Sequence, residues 1–214
     1  MKISVDPKVS PHFWGCLIFF LHIVGIVGTI LPATRALTVS LTPINLMVSL
    51  AILLFSFDYS RRLITISLII FAAGYLLEVA GVKTGILFGQ YAYGPTLGFS
   101  VFDVPLVMGV NWVMLCLAFS AISLYFFQNF WLKVLTAALL MVMLDVLIEP
   151  VAIKLDYWQW EGDVIPFRNY LTWFIASAAL NGLLLRFEVI QKNIIAIYLI
   201  MSQIIYFIFV YFFL

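Results

Sequence analysis

Long apolar stretches, broken by short polar ones, run along the whole chain. Residues 63–73 and 204–214 are nearly continuous examples. A transmembrane β-barrel requires apolar and polar residues to alternate, whereas a helix crosses the bilayer with about 20 mostly apolar residues. The pattern therefore predicts an all-α fold, a polytopic transmembrane helix bundle with about seven spans.

The predicted spans fill the chain and leave little sequence for a soluble domain. The first apolar run lacks a small-residue cleavage site, so we interpret it as a retained helix. The second span begins at a helix signal, because Thr42 suits the N-cap and Pro43 the first helical position. We predict one membrane domain over residues 1–214, with spans at residues 13–31, 43–57, 63–82, 104–127, 130–149, 169–187 and 193–214.

The composition agrees with lipid as the main solvent. Hydrophobic residues make up 65% of the chain and charged residues only 10%, against roughly 25% charged residues in a soluble domain. The net charge is +1 and no basic tract occurs, so no nucleic-acid partner is predicted. Cys16 and Cys116 both fall within apolar spans, where we interpret them as packing residues.

Lys and Arg residues are distributed unevenly between the two sides that these spans define. Because cytoplasmic segments carry an excess of Lys and Arg, the bias predicts a cytoplasmic N-terminus and an external C-terminus. Seven of the eleven fall on the predicted cytoplasmic side: Lys2, Lys8, Arg61, Arg62, Lys133, Arg186 and Lys192. The other four are Arg35, Lys83, Lys154 and Arg168.

Acidic residues gather on the opposite side, where the two longest loops also lie. Asp6, Asp58 and Glu188 are the exceptions. We therefore expect the polar chemistry of the protein at one membrane interface. The residues concerned are Glu78, Asp103, Asp145, Glu149, Asp156, Glu161 and Asp163.

Asp145 and Glu149 are the strongest candidates for acid chemistry. Residues four apart share one face of a helix, and both lie near the end of an otherwise apolar span, where ionisation is costly. A neighbouring carboxylate disfavours ionisation further, so one of the two could keep a proton and act as an acid. The alternative is that they reach the headgroup region, or pair with Lys154 or Arg168.

Glu78, near the end of the third span, is a further functional candidate, since an acid within a membrane span usually has a role. The alternative is a structural partner for Lys83. Asp103 lies at the start of the fourth span, on the same predicted side.

The loop over residues 85–98 contains four glycines and a proline. Glycine permits positive φ and close backbone approach, so we expect a fixed, re-entrant or interfacial loop that presents Tyr91 and Tyr93. It lacks the lysine of a nucleotide-binding P-loop. The second long loop presents Trp158 and Trp160. Any one of these aromatic residues could instead be an interfacial anchor.

Other polar residues within spans suggest packing more than chemistry. His12 and His22 have no partner at metal-ligand spacing, so no metal is predicted. Asn111 and Asn181 are expected to form interhelical hydrogen bonds, although Asn111, followed by Trp112, could line a cavity.

Two blocks of sequence carry a more specific pattern. The first is Glu78-x-x-Gly81-x-x-Thr84-Gly85-x-x-Phe88-Gly89-x-Tyr91-x-Tyr93, then Leu97-Gly98 and Val104-Pro105. The second is Asp145-x-x-x-Glu149-Pro150-x-Ala152, then Trp158-x-Trp160 and Ile165-Pro166-x-x-Asn169-Tyr170-x-x-Trp173-Phe174. Together they resemble the carotenoid biosynthesis membrane family, which includes the carotenoid 1,2-hydratases and bisanhydrobacterioruberin hydratase. The resemblance adds Asn169 and Trp173 to the candidate binding residues.

The resemblance implies a hydro-lyase in a bacterial or archaeal cytoplasmic membrane. Such an enzyme adds water to the terminal double bond of an acyclic carotenoid and needs no metal or redox cofactor. The chemistry requires a proton donor (Asp145 or Glu149), aromatic faces for a carbocation (Tyr91, Tyr93, Trp158 or Trp160) and a group that orients water (Glu78 or Asp103). The expected partners are a lipid-dissolved carotenoid, water and membrane lipids. A carotenoid or isoprenoid cyclase, or a lipid or small-molecule transporter, remains an alternative.

Overall fold

The computed structural model describes residues 10–214, which form a helix bundle with two small two-stranded sheets. Lys2, Asp6 and Lys8, which enter the prediction of orientation, lie outside the described residues. The helices are α1 Pro11–Ile30, α2 Pro32–Ser40, α3 Thr42–Phe55, α4 Arg61–Thr84, α5 Val107–Phe126, α6 Phe130–Lys154, α7 Phe167–Arg186 and α8 Ile194–Phe213. The strands are β1 Tyr91–Tyr93, β2 Ser100–Val101, β3 Val104–Pro105 and β4 Trp158–Trp160.

Five of these helices, α1, α4, α5, α6 and α8, are long and apolar enough to cross a membrane. The pair α2 and α3 passes the same test together but bends by 54° at its junction, so the count rises to six if that pair is one broken span. α7 also has 20 residues but is less apolar, because it carries Arg168, Asn169, Thr172 and Asn181. The predicted all-α architecture is therefore observed, but the predicted number of seven spans is not confirmed.

α5 is the centre of the bundle. Most of its apolar stretch (78%) is buried by the rest of the protein, against 28–44% for the other four long helices. It packs against α3, α4, α6, α7 and α8. Two further close pairs, α1 with α8 and α6 with α7, lie around it.

The outward faces of the surrounding helices are apolar. Phe20, Leu68, Leu139 and Ile175 are examples of large side chains that point away from the bundle. Soluble proteins rarely expose so much contiguous apolar surface. This surface suits contact with lipid and is consistent with an integral membrane protein.

The structure adds one helix, α2, that the apolar pattern does not predict. Pro32 occupies its first turn, where proline needs no hydrogen-bond partner for its nitrogen. Arg35 then turns back on α1, and its guanidinium donates to the carbonyls of Thr29 and Ile30 at 2.9 and 3.0 Å. These bonds satisfy two carbonyls at the end of α1 that have no partner within the helix.

The predicted fifth span ends at Glu149, but α6 continues through Pro150 to Lys154. Proline within a helix removes one backbone hydrogen bond, and tertiary packing nevertheless holds this turn helical. Asp145 and Glu149 are consequently farther from the helix end than the sequence suggests, and both are buried.

The predicted fourth span begins too early, because Val104 and Pro105 belong to β3 and the helix begins at Val107. β2 and β3 pair with Ser100 opposite Pro105 and Val101 opposite Val104. Both residues between them, Phe102 and Asp103, have positive φ, as in the type I′ turns that join two-residue hairpins. Asp103 is thus a turn residue.

Candidate active site

The pairing of β1 with β4 brings the two long loops together. The strands are antiparallel, with Tyr91 opposite Trp160 and Tyr93 opposite Trp158. Because alternate residues of a strand share one face, all four aromatic side chains lie on the same side of this small sheet. The ring centroids are 5.0 Å apart for Tyr91 and Trp160 and 6.1 Å apart for Tyr93 and Trp158.

Glu78 of α4 accepts hydrogen bonds from three aromatic residues. Its Oε2 lies 2.6 Å from the hydroxyl of Tyr91 and 2.8 Å from that of Tyr93. Its Oε1 accepts from the indole nitrogen of Trp112, on α5, at 2.9 Å. Only 3% of Glu78 is exposed, so these three donors replace water around the carboxylate.

Glu149 of α6 is held in the same manner by the other strand. Its Oε2 accepts from the indole nitrogens of Trp158 at 3.0 Å and Trp160 at 2.8 Å. Asn169, on α7, donates from Nδ2 to Oε1 of Glu149 at 3.2 Å and to Oδ2 of Asp145 at 3.0 Å. Asn169 therefore bridges the two carboxyl groups of α6.

The ion pairs considered as alternatives for these acids do not form. Lys83 pairs with Asp103, and Lys154 donates to the backbone carbonyl of Tyr211 at 3.1 Å. Arg168 is exposed and makes no ion pair among residues 10–214. The hydrogen bonds that these carboxyl groups accept come instead from neutral donors.

Asp103 does not belong to this cluster. Its side chain is 74% exposed, and its partner is Lys83 in the last turn of α4. The structure thus separates Asp103 from Glu78, Asp145 and Glu149, which it brings together.

Two cavities meet at this site. The larger, about 340 Å³, is lined mainly by apolar residues of α1, α3, α5, α6, α7 and α8, and α2 contributes Thr38. The smaller, about 20 Å³, lies between Glu78, Asp145 and Glu149. Because a cavity needs about 10–15 Å³ for one water, the smaller one has room for a single water molecule. Four residues line both cavities: Met108, Asp145, Trp158 and Trp173.

The predicted binding residues divide between these cavities. Asn111 lines only the larger. Trp112 lines neither cavity, but it stacks on Trp173 with ring centroids 4.2 Å apart and planes at 11°. The remaining members, which line the smaller cavity but not the larger, are Tyr91, Tyr93, Trp160 and Asn169.

Burial keeps the two tyrosines of β1 as neutral donors. Burial away from water and, second, the nearby Glu78 carboxylate raise the pKa of the Tyr91 hydroxyl. The same two causes raise the pKa of the Tyr93 hydroxyl. Both phenols therefore retain the protons that they donate to Glu78.

Two glycines of α4 allow the aromatic residues to approach it. A Cβ on Gly74 would lie 2.4 Å from Cγ of Trp112, and one on Gly81 would lie 2.4 Å from Cδ2 of Phe88. Such contacts are far closer than van der Waals distance. A larger residue at either position would displace Trp112 or the β1 loop.

The larger cavity also includes polar residues that the sequence does not assign to a site. His22 of α1 and Gln203 of α8 are both buried and line it. His22 was expected in a packing or interfacial role, and Gln203 is a neutral polar residue in a mostly apolar helix. Polar residues within spans are often functional, but the sequence alone does not bring α1 and α8 together.

Comparison with known families decides the class of this protein. Residues 39–214 match the family described as "Carotenoid biosynthesis protein". The chain belongs to this carotenoid biosynthesis family. The match contains every residue of the cluster around Glu78, Asp145 and Glu149, as the two sequence blocks predict.

A curated relative gives a narrower comparison. The chain is 25% identical over 129 residues to the bisanhydrobacterioruberin hydratase of Haloarcula japonica. The matched segment is 56% of this chain but 43% of the relative, so the chain spans less than half of that protein's length. No solved structure matches this member of the carotenoid biosynthesis family significantly.

Proposed function

We propose that the protein is a membrane-embedded carotenoid hydratase, which adds water to the terminal carbon–carbon double bond of an acyclic carotenoid and forms a tertiary alcohol. The main structural support for this proposal is that Asp145 lines both cavities. The larger, apolar cavity receives the end of the carotenoid. The smaller one holds a water between acidic groups, so one carboxyl group is next to both reactants.

Asp145 fits the role of proton donor better than Glu149 or Glu78. Glu149 accepts three hydrogen bonds from N–H groups, which can only donate, and Glu78 accepts one from an N–H group and two from tyrosine hydroxyls. In each residue the bonds are shared over both carboxylate oxygens. Those donors favour the ionised form. Asp145 accepts one bond, on Oδ2, and its Oδ1 has no hydrogen-bond partner in the described part of the chain. A proton on Oδ1 therefore does not compete with the hydrogen of another donor for that oxygen.

The proposed reaction conserves atoms and charge. Asp145 transfers its proton to the less substituted carbon of the double bond, which leaves a tertiary carbocation at the neighbouring carbon. The oxygen of the enclosed water bonds to that carbon and releases a proton to Glu149. Transfer of this proton from Glu149 to Asp145, on the same face of α6, restores the starting state.

The surroundings stabilise positive charge. Three carboxyl groups line the smaller cavity, and no Lys, Arg or His within residues 10–214 does. The aromatic rings of Trp158 and Trp173 line both cavities, so their faces are available for cation–π contact with the developing carbocation. Glu78 supplies a fixed negative charge in the wall of the same cavity.

The larger cavity is suited to a substrate dissolved in lipid. Val24 of α1 and Ile44 and Val48 of α3 line it and are also exposed on the outer face of the bundle. A carotenoid end can enter between these helices from the membrane while the rest of the polyene stays in lipid. The hydratase name of the Haloarcula japonica relative supports the same reaction.

Expression in a host that accumulates an acyclic carotenoid tests the proposal. The wild-type chain should convert the pigment to a product heavier by one water, and Asp145→Asn should lose this conversion at equal protein level in the membrane. Asp103→Asn, an exposed Asp outside the cluster, is the matched control and should stay active. An unchanged pigment with well-expressed wild-type protein excludes the hydratase. A product of unchanged mass indicates the related cyclase, which also begins by protonating an alkene.

The topology is part of the proposal. We infer seven spans, counting the bent α2–α3 pair as one and α7 as another, with the N-terminus in the cytoplasm and the C-terminus outside. Asn169 and Asn181 lower the hydropathy of α7, yet both are buried, so they do not contact lipid. Labelling of single cysteines at the α6–α7 and α7–α8 connections by an impermeant reagent should mark opposite sides. Labelling from one side only would exclude α7 as a span.

A further inference from the structure

The larger cavity has a second polar region, away from the acids. His22 on α1 and Gln203 on α8 line it, and each is at most 5% exposed. The two helices form one of the closest pairs in the bundle. The ring of Tyr206, one turn after Gln203, meets the ring of His22 edge-on, with centroids 6.5 Å apart.

Gln203 has an unmet hydrogen-bonding requirement. Its Oε1 is buried and has no partner within residues 10–214. Buried amide groups are almost always hydrogen bonded. The neighbouring hydroxyl of Tyr206 is already engaged with Oγ1 of Thr29 at 3.1 Å. An amide group that lines a cavity without a protein partner is suited to a ligand.

His22 defines what that ligand must offer. Its Nδ1 lies 2.8 Å from the carbonyl oxygen of Ile18, and a carbonyl can only accept, so Nδ1 carries the hydrogen. In the neutral ring, Nε2 then holds a lone pair and requires a donor. The Gln203 amide can rotate to offer either its oxygen or its nitrogen. A group that both donates and accepts satisfies the two residues together.

We propose that His22 and Gln203 form a subsite for an alcohol hydroxyl of an isoprenoid ligand. The hydroxyl donates its one hydrogen to Nε2 of His22, and its oxygen accepts from the side-chain nitrogen of Gln203 once the amide has rotated. A ketone or ether oxygen lacks the hydrogen that Nε2 requires, and a hydrocarbon end satisfies neither residue. The proposal rests on the proposed function in that the ligand is a carotenoid. It adds that the site recognises an oxygenated one.

Two ligands supply such a hydroxyl, and the experiment separates them. One is a substrate that already carries an alcohol near the reacting end. The other is the tertiary alcohol that hydration forms. Binding is measured in the Asp145→Asn background, which retains both cavities but lacks the proposed acid. Quenching of the cavity tryptophans by the polyene reports binding without turnover.

Four purified ligands are compared: an oxygen-free acyclic carotene, a carotene with an alcohol near the double bond that is to be hydrated, its methyl ether, and the hydration product. The alcohols should bind about three- to tenfold more tightly than the carotene and the ether, which is the size of one or two net hydrogen bonds. Gln203→Met and His22→Phe should each remove most of this preference. They should leave the affinity for the oxygen-free carotene within about twofold. Gln191→Met, at an exposed position outside the cavity, should keep the preference.

The outcomes are distinguishable from failure of the reaction itself. If the variants weaken binding of all ligands equally, His22 and Gln203 are packing residues and the subsite is excluded. If they change none, the cavity there holds only water and the subsite is also excluded. A preference confined to the hydration product assigns the subsite to the product. If the two substitutions remove the preference for alcohols but the wild-type protein hydrates no carotenoid, the subsite is retained and the hydratase is refuted.

Discussion

Asp145 and Glu149, one turn apart on α6, share a single hydrogen-bond donor. Nδ2 of Asn169 lies 3.0 Å from Oδ2 of Asp145 and 3.2 Å from Oε1 of Glu149. The amide carries two hydrogens, so it can serve both carboxyl groups at once. Because Asn169 belongs to α7, the relative position of two helices controls the spacing of the proposed acid and base.

Removal of this bridge should impair turnover more than binding. Asn169→Leu is expected to lower kcat by about tenfold or more, since a hydrogen bond to a charged group contributes about 1.5–3 kcal/mol. KM should change little, because Asn169 does not line the larger cavity. Steady-state kinetics in detergent with an acyclic carotenoid would measure both. A rise in KM with unchanged kcat would show that Asn169 acts in substrate binding.

Trp158 and Trp160 offer a matched comparison. Both donate to Oε2 of Glu149, but only Trp158 also lines the larger cavity. Trp158→Phe should therefore raise KM and lower kcat, whereas Trp160→Phe should lower kcat alone. Equal kinetic effects of the two substitutions would argue against Trp158 as a substrate contact.

Glu78 should contribute strongly to stability. Glu78→Met leaves the indole N–H of Trp112 and the hydroxyls of Tyr91 and Tyr93 without their acceptor, and each unpaired buried group costs about 1–3 kcal/mol. We expect a loss of about 2 kcal/mol or more in the free energy of unfolding. Glu78→Gln retains one acceptor oxygen and should lose less. Thermal unfolding in detergent would rank the variants, and similar melting temperatures would contradict the role of these bonds.

Gly74 should not tolerate even a methyl group. Gly74→Ala would place Cβ 2.4 Å from Cγ of Trp112, and overpacking of this kind typically costs about 1–3 kcal/mol. Gly182→Ala, on α7, is the control, since its Cβ would meet nothing closer than 3.9 Å. Alanine is favoured over glycine within a helix by about 0.5–1 kcal/mol. The two substitutions should therefore shift the melting temperature in opposite directions.

The pair of Lys83 and Asp103 should matter little. Both side chains are substantially exposed, at 48% and 74%, and exposed ion pairs contribute about 0–1 kcal/mol. Lys83→Met and Asp103→Asn should each leave carotenoid conversion within about twofold of wild type. A large loss of activity in Asp103→Asn, with unchanged expression, would return Asp103 to the active site.

Several features could be predicted from the residues alone. The apolar runs are long enough to require helices in lipid, and Asp145 and Glu149 share a face because of helical periodicity. Tyr91, Tyr93, Trp158 and Trp160 could likewise be predicted as aromatic candidates in two loops on the same membrane side as the acids. Helix bounds at prolines were predicted with mixed accuracy: the first helix ends before Pro32 as predicted, whereas α6 continues through Pro150.

Other features depend on contacts between distant parts of the chain. The sequence could not separate Asp103 from Glu78, because both fall on one predicted side and only the turn after β2 directs Asp103 outward. His22 and Gln203, 181 positions apart, meet the same cavity only because α1 packs against α8. The sequence by itself determined that lipid surrounds most of the protein, that the fold is helical, and that the site contains carboxyl and aromatic groups. These conclusions follow from hydropathy, local periodicity and the residue types themselves. Tertiary structure decided which groups share a cavity and which donors each carboxyl receives, because those depend on packing between helices and on the register of β1 with β4.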